Sequence, residues 1–156
     1  MPPLPCNGMG FLAHIFMIIT NPDLLRPICD LVLPEEVEPI IKKLEIELEQ
    51  SAKRGFPGVG LAAPQIGISK SIAIIRVGNI KLNLVNAKII KQYYEFEFDG
   101  EGCLSFPGLY KKTNRFKEIV VESNLVEPHT FIATDFLAVV IQHETEHLNQ
   151  ILLIDK

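Results

Sequence analysis

The sequence predicts an α+β fold on three observations: an amphipathic helical stretch in the first third, a β-rich middle, and a second helical stretch near the end. In the first stretch Val37, Ile40, Ile41, Leu44 and Leu48 recur at helical spacing behind Pro34-Glu35-Glu36. The acids suit the positive end of a helix, and Gly55 is placed to stop it. Glu38, Lys42, Lys43, Glu45 and Glu49 fall on the other side and read as a solvated face without a catalytic role. From Ser71 to Ser123 β-branched and aromatic residues dominate. They predict strands over Ile72 to Val77, Leu82 to Ile90, Tyr93 to Phe98 and Glu118 to Glu122, with Gly78-Asn79 as a turn. The last long element runs from about Asp135 to Asn149, with Thr134 as N-cap and Phe136, Leu137, Val140 and Ile141 as its core face. The sequence has no internal repeat, low-complexity run or linker.

A chain of 156 residues is one domain by length and can bury a sizeable core. With 47% hydrophobic and 22% charged residues it has the balance of an ordinary globular protein. A formal net charge of -4 argues against a protein built to grip nucleic acid. Cys6, Cys29 and Cys103 cannot all pair and lack the spacing of a disulfide scaffold, which points to a reducing compartment. Cys29, among apolar residues, reads as buried packing. An apolar patch from Met9 to Ile19, broken by His14, is too short for a membrane span. No lysine or arginine precedes it, as a secretory signal would require.

The chemistry concentrates in three clusters. Gln142-His143-Glu144-Thr145-Glu146-His147 is an HExxH motif, which puts His143 and His147 one turn apart on one helix face, within reach of one metal ion. Glu144 lies between them, free to act on water. Upstream, Glu101-Gly102-Cys103-Leu104-Ser105 supplies a thiol as third ligand. Three protein ligands leave a tetrahedral metal one open position, the mark of a catalytic site, where bound water ionises at ~7 instead of ~15.7. A structural zinc site would want a fourth ligand, and His14, His129 and Cys29 lack convincing spacing. Gly58-Val59-Gly60-Leu61-Ala62-Ala63-Pro64-Gln65 adds a backbone loosened by glycine and a side-chain amide. Glu101, Arg115 and Glu146 suit a charged network that fixes a ligand imidazole.

These strings, GVGLAAPQ, EGCLS and HETEH, in this order closely resemble the GxGLAAxQ, EGCLS and HExDH signatures of the peptide deformylase family. The resemblance runs from about Ile18 to Ile154. It implies a peptide-deformylase-like α+β domain, with a mainly antiparallel β region packed around a buried HExxH helix. The implied reaction is metal-dependent hydrolysis of the N-formyl group of formylmethionine at the start of nascent polypeptides, releasing formate. Cys103, His143 and His147 would hold one divalent metal. Iron(II) is the family expectation, and zinc, nickel or cobalt also suit imidazole and thiolate. Glu144 would serve as general base and then acid, and the Gln65 amide and the Leu104 backbone N–H as oxyanion donors. Val59, Gly60, Gly102, Val139 and Val140 would meet the substrate, with Val59-Gly60 pairing in strand fashion.

Family members typically begin near the position of Met17, so residues 1–16 read as an N-terminal extension or a mis-chosen start, and 17–156 as one catalytic domain. The implied partners are N-formylmethionyl nascent peptides, with a transient ribosome contact left open and neither nucleic acid nor membrane expected. The implied location is the cytoplasm, for a bacterial or phage-encoded protein, with an organelle also open. Three departures stand out: Glu146 where the family usually has Asp, Gln150 where Gly is common, and an end at Lys156 where many members continue into a helix. Without that glycine, Asn149 would take the left-handed cap conformation. Two rivals are a zinc endopeptidase and an idle binding protein on the same scaffold. The endopeptidase would want its third ligand downstream of His147. The idle scaffold is disfavoured because every ligand and Glu144 are present.

Overall fold

A computed structural model describes residues 17–156, so the expected N-terminal extension, with Cys6 and His14, lies outside the described residues. A 3₁₀ turn over Pro34–Glu36 leads into helix α1, Val37–Lys53, and Gly55 follows with φ +91°. Val37, Ile40, Ile41, Leu44 and Leu48 are all buried and the five charged positions are exposed, as the periodicity predicts. Two three-stranded antiparallel sheets follow. The first has the order β1-β2-β3, with β1 at Gly60–Ala62, β2 at Ile72–Val77 and β3 at Ile80–Val85. The second has the order β4-β5-β6, with β4 at Lys88–Gly102, β5 at Tyr110–Glu122 and β6 at Thr130–Thr134. Helix α2, Asp135–Leu148, follows β6.

The first sheet is buried on both faces, which explains the unbroken apolar run of β2. Ile72 and Ile74 face α1 with Leu44, Leu48 and Val85. Ala73 and Ile75 face the other way, into a core shared with Ile119 and Val121 of β5 and Ile141 of α2. Each fully buried Leu or Ile contributes roughly 1.5–3 kcal/mol relative to exposure. The HExxH helix is therefore set between the two sheets, with Val139 through Gln142 buried. At the chain's two described ends, Arg26 and Asp155 form a bidentate pair at 2.8 and 2.9 Å. No helix among the described residues is long and apolar enough to cross a membrane.

Several sequence expectations need correction. The strand expected over Leu82 to Ile90 is broken at Asn86, whose φ of +49° turns the chain from one sheet to the other. The short strand expected at Tyr93 to Phe98 is part of a 15-residue strand interrupted by irregularities between Ile89 and Lys91 and between Phe98 and Glu101. Glu118 to Glu122 is the end of a strand that begins at Tyr110. Thr134 sits at the N-cap of α2, but its side chain makes no capping bond. Phe136, expected in the core, is 46% exposed. Asn149 stays outside the left-handed region at φ -111°, and Gln150 itself adopts φ +61°.

Candidate active site

Helix α2 fixes the first two functional side chains by its period alone. His143 and His147 are four residues apart, with ring centroids 4.9 Å apart and Nε2 atoms 3.2 Å apart. Cys103 follows the last residue of β4, and its Sγ lies 3.3 Å from His147 Nε2. The donor atoms of Cys103, His143 and His147 all lie within 4.8 Å of one another, close enough to hold one metal ion. A thiolate with two imidazoles is a donor set that suits a divalent transition metal. Cys29 and His129 lie outside this group. Cys29, expected as buried packing, is only partly buried against the core, with its neighbours Ile28 and Leu31 exposed.

Behind the donors runs a buried charged network. His143 Nδ1 donates to Glu101 Oε1 at 2.8 Å, which turns Nε2 toward Cys103 and His147. Arg115 holds Glu101 through Nε at 2.8 Å and a second, shorter bond from Nη2, and Thr113 adds its hydroxyl. On its other side Arg115 grips Glu146 at 2.7 and 3.0 Å, and Lys156 also reaches Glu146. Burial opposes charge on Glu101, yet the bonds from His143, Arg115 and Thr113 hold it well below the usual carboxylate range. Burial likewise opposes charge on His143, but its contacts with Cys103, Glu101 and Glu144 outweigh it and hold the pKa at about 10. For His147 burial wins, reinforced by the charge of His143, and the pKa falls to about 3.

Glu144 is buried, and its Oε2 has no hydrogen-bond partner among the described residues. Burial pushes its pKa up to about 7 against the lowering effect of His143, with Glu101 adding to the rise. The carboxylate lies against strand β1. A Cβ on Gly60 would sit 2.7 Å from Glu144 Oε1, so any larger residue here would force the carboxylate to shift. Gln65 lies in the 3₁₀ turn Ala63–Ile66 that follows β1. Its Oε1 accepts the Ala62 N–H at 2.9 Å, which aims Nε2 at Ser105 Oγ, 3.0 Å away, and Cys103 Sγ, 3.7 Å away.

A cavity of about 370 Å³ opens onto this cluster. Gln65, Glu101, Gly102, Cys103, Leu104, His143 and Glu144 all line it, as do Val59, Gly60, Val139 and Val140 from the expected substrate set. Val140 also belongs to the core shared with β5. His147, Arg115 and Glu146 stand outside the lining, the first as a donor and the other two as support. Sequence reasoning missed Phe98, Phe106, Leu109, Tyr110 and Phe136, which also line the cavity. No motif marks them: Phe98 and Tyr110 reach the site through strand register, Phe106 and Leu109 through the turn between β4 and β5, and Phe136 from the first turn of α2.

Fold and site together define a class: an α+β protein whose HExxH helix lies between two antiparallel sheets and meets a cysteine from a strand end. The family model described as Polypeptide deformylase matches residues 15–156. A peptide deformylase of Heliobacterium modesticaldum is 46% identical over 101 residues, covering 64% of this chain and 66% of its own length, just under two thirds. One from Thermotoga petrophila is 36% identical over 140 residues, covering 85% of each chain. The crystal structure of the Thermotoga maritima peptide deformylase aligns with a TM-score of 0.77 at 32% identity, covering 92% of this chain and 97% of that one. The chain belongs to the polypeptide deformylase family.

Proposed function

We propose that this chain is a metal-dependent peptide deformylase, hydrolysing the N-formyl group of formylmethionyl nascent peptides to formate and a free amine. The observation that carries the reading is the convergence of three donors, Cys103, His143 and His147, beside the buried, unpartnered carboxylate of Glu144. Those three residues would hold one divalent ion, iron(II) by family expectation and zinc, nickel or cobalt by donor chemistry. Such an ion would supply Lewis acidity toward the attacking water and the formyl oxygen.

The chain's own groups do the rest. Glu144, buried beside the three donors with its Oε2 unpartnered among the described residues, accepts a proton from the attacking water and returns it to the nitrogen of the leaving amine. Gln65, its amide oriented by the Ala62 N–H, donates through Nε2 to the oxygen that gains charge, and the Leu104 backbone N–H is the second donor. Glu101 holds the His143 ring in place, Arg115 holds Glu101, and Glu146 holds Arg115 from its other side. Strand β1 is an edge strand, so Gly60 can align an extended peptide beside the Val59 side chain, whose backbone carbonyl is already taken by the Arg76 N–H, with Gly102 on the cavity wall. Val139 and Val140 form an apolar wall for the methionine side chain. Residues 17–156 act as one catalytic unit, and any ribosome contact is transient. The cellular setting is a bacterial, phage-infected or organellar compartment that makes formylated chains.

The rival endopeptidase reading is separated by substrate. Metal-loaded protein given a formyl-Met peptide and an unformylated peptide of the same sequence should release formate from the first and cut no internal bond in either. Internal cleavage without formate would reverse the assignment.

A further inference from the structure

A strand at the edge of a sheet offers unpaired N–H and C=O groups to any other strand, and proteins ordinarily blunt such edges with charge, proline or a bulge. Strand β3 carries Lys81, and β4 carries Lys88, Lys91, Glu95, Glu97 and Asp99 together with its two irregularities. Strand β6, the other edge of the second sheet, reads Thr130-Phe131-Ile132-Ala133-Thr134, without charge, proline or glycine. It pairs with β5 over its whole length with no break in register. The Ser123 N–H donates to the His129 carbonyl at 2.7 Å, and an antiparallel ladder alternates, so Phe131 and Ala133 turn their backbone groups to β5. Those of Thr130, Ile132 and Thr134 point the other way, off the edge of the sheet. Ile132 is also 63% exposed, on the face that it shares with its cross-strand neighbour Val120.

We propose that this edge pairs with β6 of a second copy of the chain, joining two three-stranded sheets into one of six strands. The edge is self-complementary, as a two-fold contact requires. Antiparallel pairing centred on Ile132 is the register that uses every outward-pointing residue: Ile132 faces the partner's Ile132, and Thr130 faces the partner's Thr134. The Ile132 N–H of each copy then donates to the partner's Ile132 carbonyl, and the Thr134 N–H to the partner's Thr130 carbonyl. The Thr134 carbonyl is left to α2, whose N-cap that residue is. In this register Val120, Ile132, the partner's Ile132 and the partner's Val120 form one apolar row across the join. Charge agrees with it. His129, 57% exposed, comes beside the partner's exposed Asp135 at each end, and the threonines keep Glu118 apart from the partner's Glu122.

One strand pair buries less than the roughly 1,200 Å² of a stable interface, so the dimer is weak, with a Kd on the order of 10 to 100 μM. Sedimentation velocity of the full chain loaded with zinc, from about 5 to about 500 μM, should show monomer giving way to dimer. Ile132→Lys sets two ammonium groups opposite each other at the two-fold. It should stay monomeric across that range, with the circular dichroism of the parent. Thr130→Val leaves the backbone groups in place and should still dimerise. Amide hydrogen exchange locates the contact in the parent itself, whatever the variants do. The Ile132 and Thr134 N–H groups should exchange about threefold or more slower at the high concentration than at the low. A monomer at every concentration, a dimer that survives Ile132→Lys, or Ile132 exchange that ignores concentration overturns the proposal.

Discussion

Glu144 reaches the centre of the site because residue 60 carries no side chain. The contact is specific enough to test. Gly60→Ala would push Glu144 Oε1 from its place by the width of a clash at 2.7 Å, and a displacement approaching 1 Å typically costs up to about a hundredfold in rate. We expect kcat to fall by about ten- to a hundredfold while circular dichroism stays that of the parent. An unchanged kcat would show that Glu144 does not need this position. Glu146 acts at one remove, through Arg115 and Glu101, on His143. Glu146→Ala should therefore weaken metal retention by about tenfold or more, with less effect on folding. Equal metal content in variant and parent after dialysis would sink that role. The donors were legible in the sequence because HExxH is a local pattern whose geometry follows from the helix period. The Glu101–Arg115–Glu146 network was legible as charge, though its wiring depends on strand register. Phe98 and Tyr110 were not legible, since a strand aromatic reads the same whether it faces a cavity, a core or solvent.

Helix α2 carries the site, and its C-terminus shows how a departure from family pattern is absorbed. Ile151 N–H bonds to the Glu146 carbonyl at 2.9 Å and Gln150 N–H to the His147 carbonyl at 3.4 Å, closing a Schellman cap. The left-handed residue in that motif is Gln150, which pays the steric cost a glycine avoids. Gln150→Gly should stabilise the protein by roughly 1 kcal/mol, read from urea midpoints at constant slope. A destabilised variant would mean that the Gln150 side chain, which donates to the Leu148 carbonyl, matters more than the backbone. The sequence pointed to this cap but to the wrong residue, because ring closure decides which position turns left-handed. Helix α1 and strand β2 were readable from periodicity and from an unbroken apolar run. Strand β1 was not: its three residues include glycine and alanine, weak strand formers, and its pairing with β2 is set by tertiary contact. The continuity of β4 was hidden by the polar Lys91-Gln92 pair, which breaks the apolar pattern between Ile90 and the alternating stretch Tyr94 to Asp99.

At the scale of the whole molecule, two sheets and α1 serve to hold one helix still. The first sheet delivers Gly60 and leads into the turn bearing Gln65, the second delivers Glu101 and Cys103, and α2 brings His143, Glu144 and His147 to meet them. The α+β class and the order of the clusters were legible along the chain. The split into two sheets was not, because one left-handed asparagine decides it. The central claim is that this convergence performs deformylation with Glu144 moving the proton. The most direct measurement is formate release from a short formyl-Met peptide by protein reconstituted anaerobically with iron(II), beside Glu144→Ala loaded to the same metal content. The account predicts steady release by the parent and a loss of at least about a hundredfold in the variant. No release from a folded, metal-loaded parent, or equal release from both proteins, would contradict it.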